Sequence, residues 1–274
     1  MKLWLLNTGF CGASEHHLMR GAPRRATTAH ALFALLEHPT HGLVLFDTGY
    51  APRVLNAFRV FPFWVYGVLT PTTTRPEWSA RAQLERLGFK PTDVRWVIVS
   101  HLHADHIGGL RDFPNARIVL SAEALKVSRL RGFRALRHGF LPMLAPDDLE
   151  QRVSVIPNFE DAPLEPFGVT HDLFQDGTVR LLRLPGHARG QIGAYIESCQ
   201  TVLAADGAWL SESFRRNRPP DKLPLRIFFD DPVATITTLD RLHRFHLAHP
   251  DVRIVPTHCP EFAALVPPGT ARLL

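Results

Sequence analysis

The chain has 274 residues, of which 45% are hydrophobic and 21% are charged, and this balance excludes wholesale disorder and predicts a sizeable core. The three cysteines are too few and too scattered for a disulfide framework and favour a reducing compartment: Cys11, Cys199 and Cys259. No apolar run is long enough to span a membrane, and the first residues lack the pattern of a signal peptide. We therefore expect a cytoplasmic protein without a membrane partner.

The formal net charge of +5 raises the question of a nucleic-acid partner. The most basic segment, residues 129–138, carries four arginines with apolar residues between them. This spacing favours the solvated face of a helix whose other face is apolar. A phosphate-binding strip is the alternative. We do not expect nucleic acid to be the main partner.

The first half of the chain alternates predicted strands with loops and helices. Residues 7–25 indicate a long polar loop, in which His16 and His17 are expected to face solvent. A helix is predicted over residues 77–87, and Ser121 is predicted to cap another helix. Short apolar and β-branched runs predict strands at residues 3–6, 28–36, 42–46, 95–100 and 117–120.

Residues 54–78 are rich in aromatic residues and proline and follow no clean helical or strand period. Such a stretch is either a core-packing insertion or an apolar wall beside a pocket, and we favour the wall. On this hypothesis the pocket includes Phe63, Trp64 and Tyr66. Residues 129–149 predict one or two helices broken by prolines, which together with the aromatic stretch are a candidate roof for a site.

The second half of the chain is rich in predicted strands. Asp176 and Gly177 form a strong hairpin signal between two of them. A helix with an apolar stripe is predicted after Asp230 or Asp231, with Pro232 in its first turn. Strands followed by a helix occur twice, which suggests two sheets packed face to face with helices outside. The predicted strands lie at residues 153–156, 167–174, 179–184, 192–197, 201–205 and 252–255.

Three histidines and an aspartate crowd into residues 101–106, directly after a predicted buried strand. Open α/β folds usually place their sites at such strand ends. On an extended segment His101 and His103 point the same way, because side chains alternate with period two, so both can hold one metal ion. Asp105 and His106 come after the chain has turned and can face a second ion. Without a metal this crowding would bury polar groups that lack partners, which disfavours a plain surface cluster.

Four further polar residues follow predicted strands in the same way: Asp47, His187, Asp206 and His258. A lone histidine at a strand end is more often structural. Together with the first cluster, however, the last three give seven candidate ligands, enough for two ions that share a bridging group. Asp47 either orients a ligating imidazole or forms a turn, and its chemistry alone leaves both interpretations open.

The pattern His-x-His-x-Asp-His, followed by Gly-His, then Asp, then His, resembles the metallo-β-lactamase-fold hydrolases over nearly the whole chain. The resemblance implies an α+β fold, a four-layer αβ/βα sandwich, in one domain over residues 1–274. It also implies two divalent metal ions, with zinc expected first and iron, manganese or cobalt as alternatives. Carried over by motif, one ion is held by His101, His103 and His187. The other is held by Asp105, His106 and His258, and Asp206 bridges the two.

Within that family, the size of the chain, the aromatic stretch and the helical segment after the histidine cluster are similar to the N-acyl homoserine lactonase group. The resemblance implies opening of a lactone or carboxylic ester by a metal-bridging hydroxide, with Asp105 and Asp206 as catalytic residues. Those lactonases carry a tyrosine three residues after the bridging aspartate, where this chain has Trp209. The candidates to supply the missing hydroxyl are Tyr50, Tyr66 and Tyr195.

Other functions fit the same ligand set, because the fold does not name the substrate. A glyoxalase-II-like thioesterase is one, and a phosphodiesterase that uses residues 129–138 is another. A non-hydrolytic di-iron module or binding scaffold is a third, and the complete ligand set argues against a scaffold. The expected partner is a small molecule with an apolar portion. Formation of a homodimer is left open, and Cys259 is expected to pack rather than bind metal.

Overall fold

Two β-sheets form the centre of the computed structural model, which describes residues 1–274. The first sheet has eight strands: β1 (Lys2–Ser14), β2 (Ala26–His38), β3 (Gly42–Phe46), β4 (Thr72–Thr73), β5 (Val94–Ile98), β6 (Arg117–Ser121), β7 (Val153–Ile156) and β14 (Ala271–Leu273). Seven of them lie in the order β14-β1-β2-β3-β5-β6-β7, and β4 pairs with β1. Because β3, β5, β6 and β7 run parallel, the residues that follow β3 and β5 lie at the same edge of this sheet.

The second sheet has six strands: β8 (Asp161–Leu164), β9 (Gly168–Asp172), β10 (Val179–Arg183), β11 (Ile192–Ile196), β12 (Thr201–Ala205) and β13 (Arg253–Pro256). They lie in the order β13-β12-β11-β10-β9-β8. Strand β11 is antiparallel to both of its neighbours, whereas β12 and β13 are parallel. Therefore β10, β12 and β13 all end at the same edge, where the chain continues into three of the candidate ligands.

The helices are short apart from one: α1 (Glu15–Leu18), α2 (Arg53–Ala57), α3 (Trp64–Leu69), α4 (Ala80–Arg86), α5 (Ala104–Ile107), α6 (Ala122–Ser128), α7 (Gly132–Arg137), α8 (Leu149–Arg152), α9 (Ser211–Arg215), α10 (Lys222–Phe228), α11 (Pro232–Ala248) and α12 (Pro260–Leu265). Helix α11 begins as predicted, since the Asp231 carboxylate accepts hydrogen bonds from the backbone N–H groups of Val233 and Ala234. None of these helices combines the length and the apolar character needed to cross a membrane.

Alternating side chains of the strands divide the apolar interior into three cores. Between the sheets, residues of both sheets such as Val44 and Leu181 share one core. On the outer face of the first sheet, Leu45 belongs to a core shared with α4 and α6. On the outer face of the second sheet, Leu182 packs in a core with Leu239 of α11. The three cores separate four layers in the order helix, sheet, sheet, helix, so the predicted α+β four-layer sandwich is confirmed.

The predicted polar loop over residues 7–25 is wrong in its first half. Strand β1 continues to Ser14 and pairs with β2 along its length, with a register shift between Asn7 and Phe10. The pairing with β2 supplies hydrogen bonds to backbone that the polar and glycine-rich sequence alone would leave irregular. Helix α1 follows directly and brings residues of this segment close to the site.

The helix predicted over residues 77–87 begins later than expected. Pro76–Trp78 form a 3-10 turn, and the hydroxyl of Ser79 accepts the backbone N–H of Ala82 at the start of α4. Ten short elements were not predicted from the sequence: α1, α2, α3, α5, α9, α10, α12, β4, β8 and β14. Helix α10 also contains Pro224. Segments of this length are stable only through tertiary packing, so their sequence carries little signal of its own.

Candidate metal centre and substrate cavity

Seven imidazole and carboxylate side chains converge where strands of both sheets end. The structure brings together the side chains of His101, His103, Asp105, His106, His187, Asp206 and His258, in overlapping groups of three whose ligand atoms lie within 4.8 Å of one another. Most of these residues are buried. Their assignment as ligands of particular ions stays a prediction, since the geometry shows only that the atoms are close enough.

The first group contains three imidazoles. The side chains of His101, His103 and His187 form one of the groups within 4.8 Å. His103 Nδ1 and His187 Nε2 are 2.9 Å apart, and His101 Nε2 is buried without a hydrogen-bond partner. A buried nitrogen lone pair without a protein donor, such as that of His101 Nε2, is costly unless a cation lies beside it.

The second group contains Asp105, His106 and His258. The Oδ2 atom of Asp105 lies 3.6 Å from His106 Nε2 and 3.5 Å from His258 Nε2. His106 Nε2, like the nitrogen in the first group, has no hydrogen-bond partner. Asp105 and His106 lie on α5, the single helical turn that follows the extended segment carrying His101 and His103.

Asp206 lies between the two groups. Its Oδ2 atom is 2.9 Å from His258 Nε2 and 3.2 Å from His187 Nε2, while its Oδ1 atom is 3.4 Å from His106 Nε2. Oδ1 is also buried without a hydrogen-bond partner. The Asp206 carboxylate therefore lies close to histidines of both groups, which is the position that a bridging ligand requires.

The outward nitrogens of three of the five imidazoles, those of His101, His106 and His258, are bonded to protein groups. His106 Nδ1 donates a hydrogen bond to Asp47 Oδ2 at 2.7 Å, and His258 Nδ1 donates to the backbone carbonyl oxygen of His30 at 2.6 Å. The hydroxyl of Ser100 donates to Asp47 at 2.7 Å and accepts from His101 Nδ1 at 3.0 Å. These bonds place the remaining Nε2 lone pairs toward the centre. The orienting role of Asp47 remains a prediction.

Burial and neighbouring charges pull the histidine pKa values in opposite directions. Burial lowers the pKa of His101 and His187 well below the ordinary value, so both imidazoles are neutral at pH 7 and have a lone pair that can bind a metal ion. Burial also lowers the pKa of His106, but the carboxylates of Asp105, Asp47 and Asp206 outweigh it and raise that pKa well above the ordinary value. The negative charge of these carboxylates therefore favours a positive charge at the centre, which divalent cations would supply. Donor types, burial and unpartnered lone pairs all fit two such ions.

A cavity of about 240 Å³ opens above the seven residues. One side of its wall comes from the start of the chain, with Cys11 and Leu18, and another from α3, with Val65, Tyr66 and Leu69. The remaining apolar wall is supplied by α7 and α10. The base is therefore polar and the wall largely apolar, which suits a small molecule with an apolar portion.

Of the three residues predicted for an aromatic pocket wall, Tyr66 lines the cavity, whereas Phe63 and Trp64 do not. Phe63 is buried in the core beneath the first sheet, and Trp64 is half exposed. Trp64 does not line the cavity because only one face of α3 points into it, and Trp64 lies on a different face of the helix. His17 lines the cavity mouth, but neither His16 nor His17 belongs to a ligand group.

Trp209 lies in the cavity wall with its indole N–H already engaged. Its Nε1 atom donates a hydrogen bond to Asp206 Oδ2 at 3.0 Å, and its ring packs against Phe229. Tyr50 and Tyr66 also line the cavity, whereas Tyr195 lies in the core between the second sheet and α11. Burial, with the added effect of the Asp105 carboxylate, raises the pKa of both cavity tyrosines well above the ordinary value, so their hydroxyls stay protonated.

Sequence reasoning missed His138 and Asp230, which face each other in the cavity wall. His138 Nδ1 donates to Asp230 at 2.9 Å, and the backbone N–H of Arg189 donates to the same carboxylate. Gly139 was the available signal. Its φ is +63°, and a Cβ there would lie 2.3 Å from Cδ2 of His103, so only glycine lets this segment approach the metal centre.

A second histidine cluster does not fit a metal ion. His38, His41 and Asp176 bring their ligand atoms within 4.8 Å of one another. However, His38 Nδ1 accepts the backbone N–H groups of Thr40 and His41, so its proton is on Nε2, where it is donated to Thr178. The nitrogen that faces the carboxylate is therefore a donor, and the cluster reads as a hydrogen-bonded turn.

Comparison with known proteins identifies the family. Residues 31–246 match the model of the metallo-beta-lactamase superfamily. The chain is 34% identical to a probable metallo-hydrolase of Mycobacterium tuberculosis over 268 residues, which cover 91% of this chain and 81% of the relative. It is 27% identical to an N-acyl homoserine lactonase of Bacillus thuringiensis over 247 residues, covering 88% and 86%.

Solved structures agree on the fold. An N-acyl homoserine lactone hydrolase with its product N-hexanoyl-L-homoserine at the catalytic metal centre superposes with a TM-score of 0.75 at 21% identity, covering 100% of this chain and 98% of that one. The dizinc quorum-quenching lactonase AidC has a TM-score of 0.66 at 16% identity, covering 94% and 87%. With the sheet order, the layers and the family match in agreement, the chain belongs to the metallo-β-lactamase superfamily and is a hydrolase of that fold.

Proposed function

We propose that this hydrolase carries two divalent metal ions and opens a lactone or cleaves a carboxylic ester. The observation that carries the proposal is the pairing of a seven-residue donor cluster with a largely apolar cavity directly above it. The similarity to N-acyl homoserine lactonases over most of the chain supports the same substrate class. Zinc is the metal we expect, and iron, manganese and cobalt suit the same nitrogen and oxygen donors.

Two groups of side chains would hold the ions. His101, His103 and His187 would hold one and Asp105, His106 and His258 the other, with Asp206 between them. When bound, such ions supply an activated water at neutral pH and Lewis-acid stabilisation of the carbonyl oxygen. Burial of most of the cluster lowers the local dielectric constant and strengthens each of these electrostatic interactions.

Asp105 is the side chain best placed to move a proton. Its carboxylate belongs to the second donor group and also borders the cavity. Cleavage of the ester C–O bond leaves an alkoxide that must take up a proton before it departs. The Asp105 carboxylate, between the donors and the substrate, can take a proton from the attacking water and pass it to this alkoxide. The proton and the negative charge are then both accounted for within the site.

Tyr66 is the hydroxyl that we propose for contact with the substrate carbonyl oxygen. It lines the cavity and stays protonated, since burial and Asp105 raise its pKa. Trp209 cannot serve in this way while its N–H is bonded to Asp206. In this proposal, Trp209 occupies the position of the lactonase tyrosine and contacts the Asp206 carboxylate. Tyr66 of α3 supplies the hydroxyl in the cavity instead.

The basic segment offers little support for a phosphodiesterase. Arg129 is paired with Glu150, and Arg131 donates to the carbonyl oxygens of Ser128 and Leu130. Arg137 alone among these arginines lines the cavity, and it lies 3.7 Å from the Asp230 carboxylate. The arginines therefore do not form a strip that leads a phosphate backbone to the site.

The test is proton release at constant pH from the zinc-loaded protein. The substrates are an N-acyl homoserine lactone, an unsubstituted lactone, an aryl carboxylic ester and a bis-aryl phosphodiester. We expect turnover of the lactone and the ester, and its loss and recovery when zinc is removed by a chelator and restored. Turnover of the phosphodiester alone, or equal rates for the protein with and without metal, would contradict the proposal.

A further inference from the structure

An exposed apolar surface lies beside the cavity on α3 and α7. We call it the aromatic patch and define it as Val60, Phe61, Trp64, Val68 and Phe133. Phe61 is 71% exposed, Val68 68%, Phe133 64% and Trp64 50%. The rings of Phe61 and Phe133 pack edge to face with centroids 5.5 Å apart, so the two segments form one surface. Soluble proteins seldom leave several large apolar side chains together in water unless something covers them.

Helical geometry explains why four of these residues share a face. The backbone N–H groups of Phe63 and Trp64 bond to the carbonyl oxygen of Val60, so the helical turn begins before α3 itself. Residues 60, 61, 64 and 68 then follow the spacing of one helical face. Val65, Tyr66 and Leu69, on another side of the same segment, line the cavity. The segment is therefore apolar on two sides, of which one lines the cavity and the other faces solvent.

The two segments that carry the aromatic patch are basic. Residues 48–76, which carry most of the patch, contain three arginines and no aspartate or glutamate. Residues 124–146, which carry Phe133, contain four arginines, one lysine and no acidic residue. The two segments that meet at the Phe61–Phe133 contact therefore each carry a net positive charge of their own, which attracts anions.

Several of these cations have no partner in the protein. Arg53 pairs with Asp112 and Arg129 with Glu150, which leaves their charge largely compensated. Arg59 and Arg134 are exposed and make no salt bridge or side-chain hydrogen bond, and they flank Phe61 and Phe133 in the sequence. Each of these two charges therefore lies within two residues of an exposed phenylalanine in the sequence.

We propose that the aromatic patch docks the protein onto an anionic lipid surface. Tryptophan and phenylalanine bury well at the boundary between headgroups and acyl chains, and arginines beside them attract acidic headgroups. A second copy of the chain is the weaker candidate, because a two-fold contact through this patch would place its arginines against one another. Leu69 connects the patch to the cavity, so docking would bring the cavity mouth to the membrane.

From the sequence alone we expect no membrane partner, whereas the aromatic patch indicates one. Hydropathy finds spanning segments, and the chain has none. The patch is assembled only in the fold, from two segments far apart in the chain. The proposal does not depend on the hydrolytic reaction.

The experiment is co-sedimentation of the full-length protein with vesicles. One set contains phosphatidylcholine only and the other about 30 mol % phosphatidylglycerol. We expect binding to the anionic vesicles that salt weakens, with a blue shift of tryptophan emission that Trp64→Phe removes. The double variants Phe61→Ser/Phe133→Ser and Arg59→Glu/Arg134→Glu should each bind at least about tenfold more weakly. The matched controls are Val233→Ser, at an exposed valine on α11, and Arg272→Glu, on β14, which should bind like wild type.

Three outcomes would overturn the proposal. The first is wild-type binding by both double variants, and the second is no binding of the wild type to anionic vesicles. The third is a stable dimer in light scattering that Phe61→Ser/Phe133→Ser converts to a monomer, which would make the patch a subunit interface. Thermal unfolding confirms that each variant is folded, since every altered side chain is exposed.

Discussion

The base and the wall of the cavity are built in different ways. At the base, ligand candidates follow strands and their outer nitrogens are bonded to fixed acceptors such as Asp47 and the carbonyl oxygen of His30. The wall consists of side chains on short helices, including Val65 and Leu69 of α3 and Ile227 of α10. Strand ends that are buried on both faces hold atoms in place, whereas short surface helices can change shape and sequence at little cost to the sheets.

This difference separates the reaction from the choice of substrate. A hydrolytic centre tolerates displacements of only a fraction of an ångström, so it is placed where two sheets fix the backbone. Substrate preference depends on the size and polarity of the wall, which this chain builds from segments outside the sheets. Substitutions at the base should therefore change metal binding and rate, and substitutions in the wall should change substrate preference.

Loss of the central carboxylate at the base should have the largest effect. Asp206→Asn keeps the shape of the side chain but removes the charge that lies between both donor groups. We expect the hydrolytic rate to fall by about 10³-fold or more, together with the metal content measured by mass spectrometry. Asp251→Asn, at an exposed aspartate, is the matched control. Full metal content and a near-normal rate in Asp206→Asn would rule out the bridging role.

The support of the base should matter next. Asp47→Ala removes the acceptor for His106 Nδ1 and for the hydroxyl of Ser100. We expect metal affinity, measured by competition with a chromophoric chelator, to fall by about 10- to 100-fold, with KM for the substrate little changed at saturating metal. A large rise in KM with unchanged metal affinity would place Asp47 among the substrate contacts instead.

Tyr66 belongs to both regions: a helix of the wall carries it, and we propose that its hydroxyl contacts the substrate carbonyl oxygen at the base. Tyr66→Phe should lower kcat/KM by about 10²-fold if the hydroxyl contacts the developing oxyanion. Because the pKa of Tyr66 is raised well above 10, the phenol keeps its proton and this contribution should persist as the pH rises to about 10. Tyr195→Phe, in the core beneath α11, should leave the rate unchanged. Equal rates for wild type and Tyr66→Phe would leave carbonyl binding to the metal centre alone.

The base was predictable from sequence and the wall was not, for a physical reason. His101, His187 and Asp206 each follow an apolar strand directly, so local sequence shows both the residue and its position at a sheet edge. The wall residues Leu69 and Ile227 meet only through tertiary packing. Their segments have no strong periodicity, so the sequence did not distinguish Tyr66, which lines the cavity, from Phe63 and Trp64, which do not, and it gave no sign of the pair of His138 and Asp230.

Changes in the wall should give the smallest effect, visible only when substrates are compared. Leu69→Ser places a hydroxyl in the apolar wall and removes a half-exposed apolar side chain that lines the cavity. We expect KM for a long-chain N-acyl homoserine lactone to rise about three- to tenfold, with KM for a short-chain one and kcat for both unchanged. Val233→Ser on α11 is the control for a valine outside the cavity. An equal rise for both chain lengths would mean that Leu69 shapes the base as well as the wall, and the division between the two regions would then fail.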